Sequence, residues 1–344
     1  PNEGRLSQVA RAFLPENEIS VVDELPEYEN TVYRPKTLLL GPGQCSLRCD
    51  YCLQKKVLGK YILKHKELFR QMLFAADKAG IEDYGWCVGE PFEKPEFLYE
   101  MLGLMCRLKN VKSIGFVTNA AFADTPENAR AVLRNVMWVI SANLNDDKDL
   151  SLHLDLSWDK KRAERGITPD HIANLLEAVS TEWGEGVVKM QSVPLLNDDS
   201  IKGLLRTLQD RGLIAADADI PGLREKGTVE LTNGITLNIY VLSAVVPEGG
   251  ARDLVPGVDY TYSGVTGEDL QTLENRDRLG YAYTRETDGT FSPTDQEIVL
   301  GPDGKLYLND KLLIRTAMPL ADMTDIEGAV RTVNHHPVLR ALVE

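Results

Sequence analysis

The chain has 344 residues, enough to bury a substantial core, either as one large α/β domain or as a main domain with a smaller appendage. Its 52 acidic residues outnumber its 38 lysines and arginines and give a formal net charge of -14, which disfavours a nucleic-acid partner because such a partner needs a cationic surface. No apolar stretch is long enough to span a bilayer, and the polar residues 1–17 lack the charged-then-apolar layout of a signal peptide, so we expect a cytoplasmic protein without membrane contact.

Polar, weakly periodic sequence interrupted by prolines occupies residues 1–36 and predicts an N-terminal lead-in. Beyond it, short apolar runs alternate with segments of helical periodicity. The runs that predict strands are Thr37–Leu40, Tyr84–Val88, Ser113–Val117 and Val187–Leu195. The segments that predict helices are residues 68–76, 97–108 and 200–209, with two more that begin at Thr125-Pro126 and Thr168-Pro169. This alternation predicts an α/β fold with a parallel sheet whose functional loops follow the strand ends.

The last third of the chain has a different pattern, in which strands are joined by tight turns. Residues 229–243 predict a hairpin with its turn at Asn233-Gly234. A second strand-turn-strand unit is predicted over residues 297–308. Thr324 and Glu327 then form a capping-box pattern, which predicts a closing helix.

Three of the five cysteines, Cys45, Cys49 and Cys52, lie in one loop after the first predicted strand. Five are too few for a disulfide scaffold in a chain of this size, and such clustering in a reducing compartment indicates a metal. Thiolates suit zinc, copper or iron-sulfur clusters, and three ligands leave one iron of a cubane cluster open to a substrate or cofactor. The alternative is a zinc site that a distant residue completes, such as Cys87 or a histidine.

The C-x3-C-x2-C spacing, with Tyr51 before the last cysteine, resembles the radical S-adenosylmethionine superfamily. The resemblance implies that Cys45, Cys49 and Cys52 hold one [4Fe-4S] cluster, whose open iron binds the amino and carboxylate groups of S-adenosylmethionine. It also implies reductive cleavage of that cofactor to methionine and a 5'-deoxyadenosyl radical, which takes a hydrogen atom from a substrate. The implied fold is a partial (β/α)6 TIM-like barrel over residues 37–252.

Two further motifs at predicted strand ends fit the same resemblance. Gly89-Glu90-Pro91 resembles the family's Gly-Gly-Glu-Pro, which engages the ammonium group of the cofactor, although Val88 replaces the first glycine. Thr118-Asn119 resembles the family's Thr-Asn-Gly, which lines the ribose, although Ala120 stands where glycine is usual. Taken singly, the first motif is also an ordinary turn and the second a simple polar strand cap.

The fourth strand has two candidates, residues 139–141 and 152–155, which both resemble the family's Ser-Leu-Asp strand. The interval from Asp155 to Arg165 favours the second candidate. Both Ser141 and Asp155 are therefore kept as candidate cofactor contacts.

His153 is a candidate for acid-base chemistry, because histidine titrates near neutral pH, or else a hydrogen-bonded structural residue. Asn197 matches the asparagine that follows the fifth strand in many relatives, where it approaches the cofactor or substrate. Cys106 shares an apolar helical face and is expected in the core, while strand alternation predicts that Cys87 points away from the site. The pair His335-His336 is expected to be solvated.

The C-terminal region resembles that of the same family only in part. Pro247–Arg252 resembles a turn that follows the sixth strand, and the unit near Gly304 looks like the start of a SPASM/twitch-type extension, which in many relatives carries an auxiliary cluster. No cysteine occurs after Cys106, so a second cluster is not expected. We expect residues 253–344 to form a degenerate, substrate-covering α+β extension.

The resemblance implies an enzyme that takes electrons from an external donor such as flavodoxin or ferredoxin. We expect a small-molecule substrate, namely a sugar, nucleoside or amino-acid derivative in a biosynthetic pathway, because residues 1–36 are too short for a typical domain that recognises a peptide leader. One alternative is a peptide maturase that acts on a ribosomal precursor and borrows a separate recognition protein. The other is a non-catalytic metal-binding protein.

Overall fold

The structure is a computed structural model. It describes residues 35–47, 61–145, 148–184, 186–192, 200–216, 226–241, 283–285, 291–293, 297–308 and 319–335. The strands are β1 (Thr37–Leu40), β2 (Asp83–Trp86), β3 (Ser113–Thr118), β4 (Ser151–Ser157), β5 (Gly186–Ser192), β6 (Lys226–Glu230), β7 (Ile235–Val241), β8 (Tyr283–Arg285), β9 (Phe291–Pro293), β10 (Glu297–Leu300), β11 (Lys305–Leu308) and β12 (Ala321–Asp322). The helices are α1 (Tyr61–Lys64), α2 (Lys66–Lys78), α3 (Pro95–Met105), α4 (Pro126–Asn143), α5 (Lys160–Glu164), α6 (Pro169–Glu182), α7 (Ser200–Asp210) and α8 (Ile326–His335), and a 3-10 turn covers Pro91–Glu93.

In the described part of the chain, ten strands form one sheet in the order β12-β11-β10-β1-β2-β3-β4-β5-β7-β6. The pairs from β10 through β1, β2, β3, β4 and β5 to β7 are all parallel, and the outer strands β6, β11 and β12 pair antiparallel. Strands β1 to β5 are added on one side in chain order, and β2 to β5 each follow a helix, as in a (β/α) barrel and unlike a doubly wound sheet, where the order reverses. The expected α/β fold with a parallel sheet is confirmed, and the sheet is not closed, since β12 and β6 are its two edges.

One face of the sheet packs against the helices, and we call it the helical face. Trp86 at the end of β2 is fully buried there, with its ring 6.0 Å from that of Phe69 on α2 and 6.2 Å from that of Phe97 on α3. Phe116 on β3 likewise lies 6.0 Å from Trp183, which follows α6. Because strand side chains alternate, the neighbouring residues point to the opposite face, which we call the second face.

The helix starts follow the capping signals in the sequence, with one shift. Thr125 Oγ1 accepts a hydrogen bond from Asn128 N at 3.2 Å, which caps α4 as expected. At the start of α8, however, Asp325 and not Thr324 is the capping residue, since Asp325 Oδ1 accepts from Gly328 N at 2.7 Å.

The alternative fourth strand at residues 139–141 is wrong. These residues belong to α4, and Ser141 is exposed in its last turn. Leu133, Val136 and Ile140 recur at helical spacing and are buried, so the short apolar run before Ser141 is part of an amphipathic helix. The fourth strand is β4, which contains Asp155.

The C-terminal strands join the same sheet as the N-terminal ones. Strand β10 pairs parallel with β1, where Leu38 is the Cα partner of Ile298, and β11 and β12 continue from it. Lys78 at the end of α2 forms an exposed salt bridge of 3.1 Å with Glu327 on α8. The expected boundary at residues 252 and 253 lies outside the described residues, so the separate C-terminal extension stays a prediction. Among the described helices, none has the length and apolar content that a bilayer crossing requires.

Candidate functional site

The loop that follows β1 runs directly beside the loop that follows β2. Gly43 N donates to Val88 O at 3.0 Å, and Glu90 N donates to Gln44 O at 2.6 Å. These two backbone hydrogen bonds fix the chain immediately before Cys45 against the Gly-Glu-Pro turn. Val88, which replaces the usual glycine, takes part through its backbone carbonyl.

Gly89 makes this close approach feasible. Its φ is +85°, a left-handed conformation that L side chains rarely adopt, and a Cβ atom on it would lie 2.4 Å from Gln44 O and 2.6 Å from Gln44 N. Any side chain at position 89 would therefore displace the backbone that leads to Cys45.

Glu90 joins the end of β2 to the end of β3. Its side chain is only 3% exposed, and Oε1 accepts hydrogen bonds from Thr118 Oγ1 at 2.7 Å and from Phe92 N at 3.3 Å. The other oxygen, Oε2, accepts from Asn119 N at 2.8 Å. Burial raises the pKa of Glu90 from its ordinary 4.5 to about 7, and the three hydrogen bonds oppose that rise. Pro91 is buried and begins the 3-10 turn that carries Phe92.

Asn119 connects the end of β3 to the cysteine loop. Its Nδ2 donates to Cys45 Sγ at 3.6 Å, and its Oδ1 accepts from Ala121 N at 2.8 Å. Ala120 between them has a φ of +61°, the left-handed conformation that suits glycine, so the chain turns here as Thr-Asn-Gly would despite the substitution. Three motifs far apart in sequence thus meet at the carboxyl ends of β1, β2 and β3.

Two further side chains hold the cysteine loop, and the sequence interpretation did not assign either of them to the site. The Glu93 carboxylate accepts from Ser46 N at 2.7 Å and from Ser46 Oγ at 2.6 Å. Arg165 Nη1 donates to Leu47 O at 3.0 Å. The positions of Glu93 after Gly-Glu-Pro and of Arg165 after β4 were the available signals, but contacts across more than 45 residues cannot be read from local patterns.

The other two cysteines of the triad, Cys49 and Cys52, lie outside the described residues, as does Asn197. Within the part of the chain that the structure describes, no three side chains of His, Cys, Asp or Glu are grouped closely enough to hold a metal ion. The three-cysteine ligand set therefore stays a prediction. Cys45 itself is half-buried.

Asp155 lies on β4 in a row of Cα partners formed by Val117, Asp155, Lys189 and Asn238. Its Oδ1 is buried and has no hydrogen-bond partner among the described residues. Burial raises the pKa of Asp155, while Lys189 and His153 oppose the rise. Such an unsatisfied acceptor on the second face is suited to receive a hydrogen bond from a ligand.

Cys87 follows directly after the end of β2. Burial raises the pKa of Cys87 to about 12, and the negative charges of Glu297 and Asp155 add to this rise. The strand ends at Trp86 and Gly89 turns the chain, so alternation does not extend from Cys87 to Glu90, and the direction of the Cys87 side chain stays a prediction. Cys106, by contrast, is fully buried in the core as expected.

His153 is exposed on the second face, where it is the Cα partner of Gly115 on β3. Gly115 pairs in turn with Gly85 on β2, so two neighbouring strands lack side chains here. A Cβ atom on Gly115 would meet only the Cβ of His153, at 3.9 Å. The second face therefore has free space beside His153. His335 ends α8, and His336 lies outside the described residues.

No protein-family model matches the chain, and no curated protein matches it in sequence. Among solved structures, the chain is similar to SuiB of Streptococcus suis, whose crystal structure was determined with bound S-adenosylmethionine. The two share 11% sequence identity with a TM-score of 0.41, over 91% of this chain and 68% of SuiB. A likeness at this level carries no argument about function, which has to be derived from the contacts around Cys45.

Proposed function

We propose that this chain is a radical S-adenosylmethionine enzyme in which Cys45, Cys49 and Cys52 hold a single [4Fe-4S] cluster. When bound, that cluster would supply the electron that cleaves S-adenosylmethionine to methionine and a 5'-deoxyadenosyl radical. The observation that carries the proposal is the contact of Asn119 with both Cys45 and Glu90, because the resemblance assigns these residues to one cofactor site.

The described residues fit a thiolate-bound cluster with an amine-bearing cofactor beside it. Cys45 offers a soft sulfur ligand, and Asn119 directs an N–H group at that sulfur. Glu90 Oε2 accepts one hydrogen bond within the described residues, so a lone pair remains for the cofactor's ammonium group. An ammonium group there would also favour the ionised carboxylate, which burial alone disfavours.

The remaining roles follow from placement. Thr118 orients Glu90 through its hydroxyl, and Gly89 lets the backbone of Gln44, which leads to Cys45, come close to the Gly-Glu-Pro turn. Asp155 would accept a hydrogen bond from cofactor or substrate, and Asn197 would follow β5 at the same edge of the sheet. Ser141 has no part in the site, since it is exposed on a helix.

We further propose a polar small-molecule substrate, such as a sugar, nucleoside or amino-acid derivative, on the second face. Gly115 leaves space there, since a Cβ atom on it would meet only His153, and His153, Asp155 and Lys189 supply groups that bind hydroxyl, amino or carboxylate substituents. His153 would exchange protons with the substrate. An external one-electron donor such as flavodoxin or ferredoxin would reduce the cluster, and a cytoplasmic location suits this chemistry.

Anaerobic reconstitution tests the proposal. We expect iron and sulfide in the amounts of one [4Fe-4S] cluster per chain, with release of 5'-deoxyadenosine that requires both S-adenosylmethionine and a reductant. Cys45→Ala should abolish both results, whereas Cys106→Ala, at a buried cysteine remote from the loop, should retain them. Bound zinc with no cofactor cleavage would instead indicate a non-catalytic metal-binding protein.

The substrate class needs a separate measurement. Deuterium transfer into 5'-deoxyadenosine from labelled sugars, nucleosides or amino acids would support the small-molecule proposal. Transfer only from a ribosomal precursor peptide would establish the peptide maturase instead.

A further inference from the structure

We infer that Asn119 tunes the reduction potential of the cluster by donating an N–H hydrogen bond to the sulfur of Cys45. The inference rests on the proposed function, because it requires Cys45 to be a cluster ligand. Asn119 would then be a positioning residue that acts through its contact with the thiolate, in addition to any contact with the cofactor.

The direction of the Asn119 amide is fixed by its neighbours. Ala121 N is 2.8 Å from Oδ1, and a backbone N–H can only donate, so the atom that faces Ala121 has to be the oxygen. The amide nitrogen is therefore the atom that faces Cys45 Sγ, at 3.6 Å. A flipped amide would place two donors against each other at Ala121 and two acceptors against each other at the thiolate.

The backbone of Asn119 is held equally firmly. Its N–H donates to the buried Glu90 carboxylate at 2.8 Å, and Ala120 N donates to Thr118 Oγ1 at 3.0 Å. The left-handed φ of Ala120 turns the chain at the point where Ala121 N donates to the side chain of Asn119. The donor is thus oriented before any cluster is bound, which is the usual way in which an outer residue controls a metal ligand.

The electrostatic effect has a definite sign. A donor aimed at a ligating sulfur stabilises negative charge on the cluster, and one-electron reduction increases that charge. The reduced cluster gains more from the hydrogen bond than the oxidised cluster does, so the contact raises the reduction potential. Its loss should make the cluster harder to reduce.

Two substitutions separate this effect from simple loss of structure. Asn119→Asp keeps an acceptor for Ala121 N and replaces the amide nitrogen by oxygen, whereas Asn119→Leu removes the donor without adding charge. Asn128→Asp and Asn128→Leu, at an exposed asparagine at the start of α4, are the matched controls. Iron and sulfide analysis comes first, followed by a redox titration of each reconstituted chain monitored by electron paramagnetic resonance.

We expect both Asn119 variants to have a lower midpoint potential than the wild type, while both Asn128 variants keep it. At a fixed donor potential, we expect the ratio of reduced to oxidised cluster to fall about tenfold, which corresponds to about 59 mV for one electron. Unchanged potentials in both Asn119 variants, or a decrease in Asn119→Asp alone, would overturn the inference, the latter because added charge would then suffice. A wild-type chain that takes up no cluster would overturn the proposed function, and with it the inference.

Discussion

Glu90 brings together the backbone after β2, the hydroxyl of Thr118 and the backbone of Asn119, at the cost of burying a carboxyl group. Burial raises the pKa of this group, so the folded chain keeps a proton at pH values where the unfolded chain has lost it. The site is therefore sensitive to pH near neutrality.

The difference in proton binding between the folded and unfolded chain makes the free energy of unfolding depend on pH in a definite direction. Between pH 4.5 and about 7 the folded state binds more protons at Glu90, so its contribution to the free energy of unfolding is full below pH 4.5 and is lost as the pH rises through about 7. We expect this contribution to reach up to about 3 kcal/mol. Urea denaturation over this pH range should show a downward slope in the wild type that is absent in Glu90→Gln. Equal slopes in the two chains would contradict the assignment.

Substitution of Gly89 tests how much the close contact between its backbone and that of Gln44 constrains this position. Gly89→Ala adds a methyl group at a φ of +85° against the backbone of Gln44, so we expect a loss of more than about 2 kcal/mol in the free energy of unfolding. Gly80→Ala is the matched control, since Gly80 has a φ of +82° but nothing within 4 Å of the added atom, and should cost only about 1 kcal/mol. Equal losses at the two positions would show that the contact with Gln44 is unimportant. The rate at which a thiol reagent modifies Cys45 should rise in Gly89→Ala alone.

The two ends of helix α4 should contribute differently to the free energy of unfolding. Its first turn is capped by Thr125, and its last turn carries the exposed Ser141. We expect Thr125→Ala to lower the free energy of unfolding by about 1 kcal/mol, because Asn128 N loses its acceptor. Ser141→Ala should change stability by less than about 0.5 kcal/mol and leave cofactor binding unaltered. Weaker S-adenosylmethionine binding in Ser141→Ala would restore this residue to the site.

The elements were predictable from sequence to different degrees. The bounds of strands β1 and β3 agree with the sequence prediction to within one residue, because each strand is a short apolar run bounded by turn residues. Residues 139–141 were kept as a second candidate for the fourth strand, because two apolar residues before a serine look like a strand end when the longer helical period is ignored. The contacts of Glu93 and Arg165 were not assigned, because they depend on which loops come together in space.

At the scale of the whole molecule, the sheet unites segments from both ends of the described chain. The partial-barrel order follows from repeated strand-helix units, which sequence periodicity reveals. The pairing of β10 with β1 could not be predicted, since the local sequence of Glu297–Leu300 does not indicate which strand it pairs with. Strands β10, β11 and β12 share the sheet with β1, and the expected boundary at residues 252 and 253 stays a prediction.

This shared sheet has a consequence for unfolding. Ile298 on β10 is fully buried beside Leu38, so we expect Ile298→Ala to lower the free energy of unfolding by about 2–5 kcal/mol. Val299→Ala, at the neighbouring half-buried position, should cost less. Tryptophan fluorescence and far-ultraviolet circular dichroism should report one coincident transition in both variants. Separate transitions would show that β10 unfolds independently of β1.

The parallel pairing of β10 with β1 also matters while the chain is being made. Synthesis of the segment between Thr37 and Glu297, about 260 residues, takes roughly 10 to 50 s at ordinary elongation rates. During that interval β10 is not yet present to cover the outer edge of β1, and exposed edges of this kind pair readily with other nascent polypeptides. The strand that leads to Cys45 therefore passes through a period of vulnerability to aggregation on the ribosome, which ends only when Glu297–Leu300 arrives to cover it.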